Sequence, residues 1–192
     1  NGLTINQSFT AKGDACNGMI KLRDDYNNYS GGASKLFFAQ GSIVQIERAS
    51  IQKIAVTGAN TIDVANSQDL GNNSGINFIG TMTPKTLYWV NGGGDWNNSS
   101  HWSFTSGGTP DPNDCQLPDA LTNVVFDANS GFTPTSNTVS MPSSGAYVKD
   151  MTWINAPNNP IISSPANTYQ GYEMNIYGSI TLQNNMQYFV NN

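Results

Sequence analysis

Apolar residues in this chain come in short runs of about four to seven, and Gly or Asn stops almost every run. An amphipathic helix needs an apolar stripe repeated every 3.6 residues over several turns. No stretch holds one, so no helix is expected. Strands need only four to eight residues, with Gly, Asn, Ser and Asp between them to turn the chain. The pattern predicts an all-β, loop-rich protein. Charged residues make up only 11%, against about 25% in an ordinary domain, too few to coat helix faces. Asn fills 26 positions and Gly 19, and both tolerate the left-handed backbone that corners require. Aromatics at 10% supply enough packing material for an ordered core. Such a surface, poor in charge and rich in amides, is expected of an extracellular protein.

Charge excludes one class of partner. A nucleic-acid binder needs a basic face that displaces counterions, yet the only basic residues after Lys53 are Lys85 and Lys149, and the net charge is -5. No nucleic-acid partner is expected. No apolar run approaches the ~20 residues that span a bilayer as a helix, so no transmembrane segment is expected. Asn1 in place of Met, and ends that read like the middle of a pattern, predict a segment of a longer protein.

Residues 1 to 80 carry six basic and six acidic side chains, whereas residues 81 to 192 carry two and seven. The change falls at Gly80-Thr81-Met82-Thr83-Pro84, where Gly and Pro separate two strand-like runs. Two modules are expected, 1–83 and 84–192, the first being the C-terminal part of one β-repeat and the second the N-terminal part of the next. In the first, strands are expected at Leu3–Phe9, Met19–Leu22, Lys35–Ala39, Ile43–Ile46, Ile51–Val56, Thr61–Val64 and Ile76–Phe78. The second opens with an aromatic loop from Asn91 to about Leu121. Strands then resume at Val124–Asp127, Thr138–Met141, Tyr147–Ile154, Pro160–Ser163, Tyr172–Leu182 and Met186–Val190. In the Tyr172–Leu182 run Gly178 takes an inward slot, which predicts a bend there.

An internal echo bears on architecture. Residues 49–59 can be laid over residues 146–156 with apolar side chains at the same four places. Strands that recur without Asn-Gly hairpins between them suit a parallel β-helix or solenoid, in which each strand stacks on its copy one coil away. β-Sandwich repeats predict the same alternation and remain the alternative.

The segment Tyr88-Trp89-Val90-Asn91-Gly92-Gly93-Gly94-Asp95-Trp96, continuing to His101-Trp102-Ser103, resembles the opening motif of repeats in giant cell-surface adhesins of Bacteroidetes. Val124-Val125-Phe126-Asp127-Ala128-Asn129, Lys149-Asp150-Met151-Thr152-Trp153 and Asn175-Ile176-Tyr177-Gly178-Ser179-Ile180-Thr181-Leu182 follow in the family's order. Ile51-Gln52-Lys53-Ile54 and the Asp69-Leu70-Gly71-Asn72-Asn73 stretch resemble the end of a preceding repeat. The resemblance covers most of the chain. It implies β-helical stalk units of adhesins exported by the type IX secretion system, the gliding-motility adhesins among them, which act in surface attachment or gliding. The implied location is the outer surface of the cell. The implied partners are neighbouring repeats of the same chain, the secretion and motility machinery of the outer membrane, and surface polysaccharides. Family repeats often carry a Cys just before the Lys-Asp-Met-Thr-Trp segment, where this chain has Ala146, Tyr147 and Val148.

Three indoles are the candidate ligand-binding residues. Trp89, Trp96 and Trp102, with Asn91, Asp95, Asn97, Asn98 and His101 between them, have the composition of a carbohydrate-binding surface. That role needs an exposed, coplanar pair. The competing reading packs all three over the end of the strand stack as a cap, and needs them buried. Asp111, Asn113 and Asp114 are candidate calcium ligands, although the EF-hand pattern fails because Gln116 stands where Gly is required and Thr122 where Glu is required. The same residues also serve as turn formers. Cys16 and Cys115 could bridge, remain thiols, or bridge outside the chain, and neither has zinc-site spacing. With one His, no nucleophile elbow and no phosphate loop, no enzyme is expected. A carbohydrate-binding module of a secreted polysaccharide-degrading protein is the alternative to a non-catalytic adhesin segment.

Overall fold

The computed structural model describes residues 2–13, 18–24, 33–58, 61–80, 82–111, 117–164 and 173–189. The candidate Cys16–Cys115 bridge lies outside the described residues. The fold is all-β; among the described residues the only helical turn is a 3-10 turn at Ser99–His101. Two compact units divide between Thr83 and Pro84.

In the first unit the strands are β1 (Gly2–Ile5), β2 (Ser8–Lys12), β3 (Ile20–Arg23), β4 (Ser34–Phe38), β5 (Ile43–Glu47), β6 (Ala49–Gln52), β7 (Ile54–Gly58), β8 (Ile62–Ala65), β9 (Gln68–Asp69) and β10 (Ile76–Ile79). Consecutive strands do not pair. Each pairs in parallel with a strand two or three places on, giving sheets β1-β4-β7, β2-β5-β8-β10 and β3-β6-β9. Register puts like on like. Ile5 lies beside Phe38, Ala11 beside Ile46, and Ile46 beside Val64. These residues, with Ile51 and Ile54, are the buried core of the unit.

Single residues turn the chain from one sheet to the next. Arg48, Lys53 and Asn66 stand between strands with φ of 51°, 53° and 46°. The run expected as one strand over 51–56 is therefore two, because Lys53 in the left-handed region breaks the period of two. Ile51 and Ile54, three positions apart, both face inward. Asn73 braces this corner: its carbonyl accepts from Ile54 N at 2.9 Å and its amide donates to Ile51 O at 2.8 Å. A side-chain amide here does the work of a peptide group, which explains part of the Asn content.

In the second unit the strands are β11 (Lys85–Trp89), β12 (Gly94–Asp95), β13 (Trp102–Ser103), β14 (Thr122–Phe126), β15 (Thr138–Ser140), β16 (Ala146–Val148), β17 (Met151–Trp153), β18 (Ile161–Ser163), β19 (Met174–Ile176), β20 (Ile180–Thr181) and β21 (Gln187–Phe189). Three sheets form, β13-β11-β14-β17-β20, β12-β15-β18-β21 and β16-β19. Every strand pairing in either unit is parallel except β11 with β13, among the described residues. Sandwich repeats of the immunoglobulin type would require antiparallel sheets, and the pairing does not match them.

The echo between 49–59 and 146–156 has a structural basis. Ala49, Ile51, Ile54 and Val56 are buried, and so are Ala146, Val148, Met151 and Trp153. Both segments are strand, corner, strand. Gly178 also marks a corner, since a Cβ there would sit 2.1 Å from Asp150 Oδ1, and Gly178 N donates to Lys149 O at 2.7 Å. The expected Tyr172–Leu182 strand is accordingly split into β19 and β20, with Tyr172 outside the described residues.

Ile51 is fully buried, so Ile51→Ala is expected to destabilise the first unit by about 2–5 kcal/mol. All four Trp residues lie in the second unit, at 89, 96, 102 and 153. In urea the far-UV circular dichroism should gain an earlier transition while the Trp-emission midpoint stays at the wild-type value. A joint fall of both signals would show that the units unfold as one.

Candidate functional site

The aromatic loop folds back on the strand it follows. After β11, Asn91 takes φ of 67° and its amide donates to Ser100 O at 2.8 Å, which ties the two ends of the loop. Asn98 caps the 3-10 turn by accepting from Ser100 N at 3.0 Å. From this turn β13 runs antiparallel along the side of β11 that β14 leaves unpaired, with Trp102 opposite Trp89 and Ser103 opposite Tyr88. An edge strand exposes a row of unpaired N–H and C=O groups. Here β13 covers that edge.

Under this covering the three indoles are almost wholly buried, with Trp89 and Trp102 at 0% exposure and Trp96 at 2%. Trp89 and Trp102 meet edge to face at 4.9 Å and 90°, and Trp96 and Trp102 at 5.0 Å and 75°. Such geometry brings the positive ring edge to the negative face. Phe126 sits beneath, 5.7 Å from Trp89, and stacks on Trp153 at 3.8 Å and 1°. Two of the buried indole N–H groups meet backbone carbonyls: Trp89 Nε1 donates to Gly92 O at 2.5 Å and Trp102 Nε1 to Trp96 O at 2.8 Å.

His101 stacks on Trp89 at 4.7 Å and 6°, and its Nδ1 lies 3.0 Å from Val90 O. The imidazole occupies the space over Gly94, where a Cβ would lie 1.9 Å from Nε2. This accounts for a glycine at that point of the motif. The polar members of the set divide differently. Asn91, Asp95, Asn97 and Asn98 are exposed, while His101 is partly buried. The amides of Asn91 and Asn98 are engaged by backbone groups of their own loop.

No two of Trp89, Trp96 and Trp102 present the exposed coplanar faces that stacking on a sugar requires. Their chemistry in this arrangement is packing and the closing of a sheet edge. Of the candidate calcium ligands, Asp111 is exposed, and Asn113 and Asp114 lie outside the described residues. Nearby, Asp119 accepts from Thr122 Oγ1 at 2.7 Å and Leu121 N at 3.0 Å, and Asp127 accepts from Asn129 N at 2.8 Å. Those two carboxylates form local turns. Among the described residues no group of three or more His, Cys, Asp or Glu is placed to hold a metal, and no helix is long and apolar enough to cross a membrane.

Trp153 joins the aromatic column because it follows Phe126 in register, a relation that only the strand pairing sets. The last strands carry exposed Ile180, Leu182 and Tyr188. The alternation over Tyr172–Leu182 marks Ile180 and Leu182 as members of one face. No protein-family model, no curated protein and no solved structure matches this chain.

Trp96→Ala is expected to destabilise the second unit by about 3–5 kcal/mol, the usual cost of deleting a buried large aromatic. Asp95→Ala or Asn97→Ala should cost less than about 1 kcal/mol, as exposed turn residues do. Denaturant midpoints followed by Trp emission check all three, and a Trp96→Ala midpoint equal to wild type would place that indole in solvent. Gly94→Ala should cost about 1–3 kcal/mol by pushing His101 off Trp89, and proton NMR should show the imidazole resonances losing the indole ring-current shift.

Proposed function

We propose that this chain is a non-catalytic, structural and adhesive segment of a large cell-surface adhesin acting in surface attachment or gliding motility, and that its parallel sheets are the faces of a β-helix. The observation that carries the reading is the pairing of each strand with one two or three places on, in parallel and with like side chains in register. β17 continues β14 and β20 continues β17, as expected of stacked coils. An extended stack of this kind is a spacer: each coil adds about 4.7–4.9 Å, so many repeats hold a distal surface far from the cell.

The motif at residues 88–103, which resembles the repeat openings of type IX-exported adhesins of Bacteroidetes, supports the same reading. Its aromatic members are packed inward and its Asn and Asp members face outward. An aromatic motif with this orientation suits a repeat that must close one end of its own stack. The partners proposed are neighbouring repeats of the same chain, the outer-membrane secretion and motility machinery, and surface polysaccharides. The location proposed is the cell surface.

Antibodies raised against the purified chain should label intact, non-permeabilised cells of the source organism and reduce their attachment to glass. Labelling only after permeabilisation would overturn the reading. Added polysaccharides should leave the emission of the buried indoles unchanged. A saturable spectral shift with one polysaccharide, abolished by Trp96→Ala in a folded variant, would favour a carbohydrate-binding module instead.

A further inference from the structure

One aromatic side chain of the first unit faces solvent from the middle of a sheet. Side chains alternate along β4: Leu36 packs against the core and Phe38 is buried, so Lys35 and Phe37 project from the outer face. Both are exposed, and Phe37 keeps 42% of its surface in solvent. β4 has β1 on one side and β7 on the other, so this exposure belongs to the side of the strand stack and is independent of its first and last strands. Across the sheet Phe37 lies in register between Thr4 and Thr57, which are both exposed. Its ring leans over Gly58, where a Cβ would lie 2.6 Å from Cε2 and 2.8 Å from Cδ2 of Phe37. Glycine at that place lets the phenyl lie along the sheet and turn a face to solvent.

An aromatic face flanked by hydroxyls is a surface for a sugar ring. The C–H groups of a pyranose can stack on the phenyl while its hydroxyls reach the two threonines. Other occupants fit less well. A protein interface buries about 800 Å² per partner around a hydrophobic centre, and a lipid surface needs a broad apolar face. Here one phenyl stands among Thr and Lys side chains. Charge narrows the choice of sugar. β1, β4 and β7 contain a single charged residue between them, Lys35. It stands two positions from Phe37 on the same face, about 6.6 Å along the strand, within reach of a carboxylate on or next to a sugar stacked on the ring. Charge complementarity therefore favours a uronate over a neutral sugar.

We propose that the outer face of β4 binds acidic polysaccharide, a uronate residue stacking on Phe37 with its carboxylate on Lys35 and its hydroxyls toward Thr4 and Thr57. The proposal rests on the adhesin reading, which supplies both the polysaccharide partner and the strength. One such contact is weak, and repetition along a large adhesin multiplies it by raising the effective concentration of the next site. The buried indoles take no part, since no Trp lies in the first unit.

Affinity electrophoresis of the purified 192-residue chain through native gels holding polygalacturonate tests it, with dextran as the neutral control. Wild type should be retarded by polygalacturonate and not by dextran. Phe37→Ala and Lys35→Gln should each weaken the retardation about tenfold, which is about 1.4 kcal/mol, and Phe37→Tyr should behave as wild type. Both side chains point outward, so these variants should keep the wild-type circular dichroism. Lys12→Gln removes the same charge from an exposed position on another sheet and should be retarded as wild type is. Unretarded wild type, equal retardation by dextran, a Phe37→Ala variant that runs as wild type, or a Lys12→Gln variant as weak as Lys35→Gln would each overturn the proposal. So would a wild-type dimer in sedimentation velocity that Phe37→Ala abolishes, because the occupant would then be a second copy. The two readings fail separately: retardation of a chain that labels only permeabilised cells removes the adhesin reading, and surface labelling by a chain that runs unretarded removes the uronate site.

Discussion

Parallel pairing in register is the constraint on which everything else in this protein depends. A strand of three to five residues has too few hydrogen bonds and too little apolar area to persist alone. Here the inner strands of each sheet gain a neighbour on either side, and their inward apolar side chains rest on apolar side chains of the next strand. Leu87, Val124 and Met151 form one such column, and Trp89, Phe126 and Trp153 run beside it. Burial of these side chains follows from their place in a column. Length of strand matters little when the column is long.

Ends become the difficult part of such an arrangement. Every column must stop, and where it stops an apolar face and a row of backbone groups meet water. The start of the second unit solves this locally. β13 bonds the free edge of β11, and Trp96 and Trp102 fill the space against Trp89 and Phe126. Indoles suit the task because one side chain covers a large area, and the N–H groups of Trp89 and Trp102 each reach a nearby carbonyl. At the last described strands of the same unit Ile180 and Tyr188 are about half exposed.

Corners explain the unusual composition. The chain must leave one sheet and enter the next within one or two residues, and the left-handed region does this at Asn66, Asn91 and Asn155 as well as at Arg48 and Lys53. Freed backbone groups at these corners are then met by amides. Gln183 accepts from Ala156 N and donates to Ala156 O, as Asn73 does around Ile51 and Ile54. Charged side chains could not make both bonds, since carboxylates only accept and ammonium groups only donate.

Class and many strand positions were legible in the sequence. Alternating apolar residues and Gly or Asn punctuation are local signals, and they marked Ser34–Phe38 and Ile43–Glu47 closely, whereas the run expected as one strand over Tyr147–Ile154 is two, Ala146–Val148 and Met151–Trp153. The change in charge and the Gly80–Pro84 stretch fall at the division between the units. Corner geometry was less legible: Lys53 carries no local sign that it will turn left-handed, and the run around it read as one strand. Which strand lies beside which was not legible at all, because period two is the same in parallel stacks and in sandwiches. The candidate site shows the same limit. Trp89, Trp96 and Trp102 stood out by residue type, but whether an indole faces water or a core depends on β13 returning to the edge of β11, a long-range hydrogen-bonded contact. Local sequence determined what each segment could become, and only the tertiary pairing decided which faces were left uncovered.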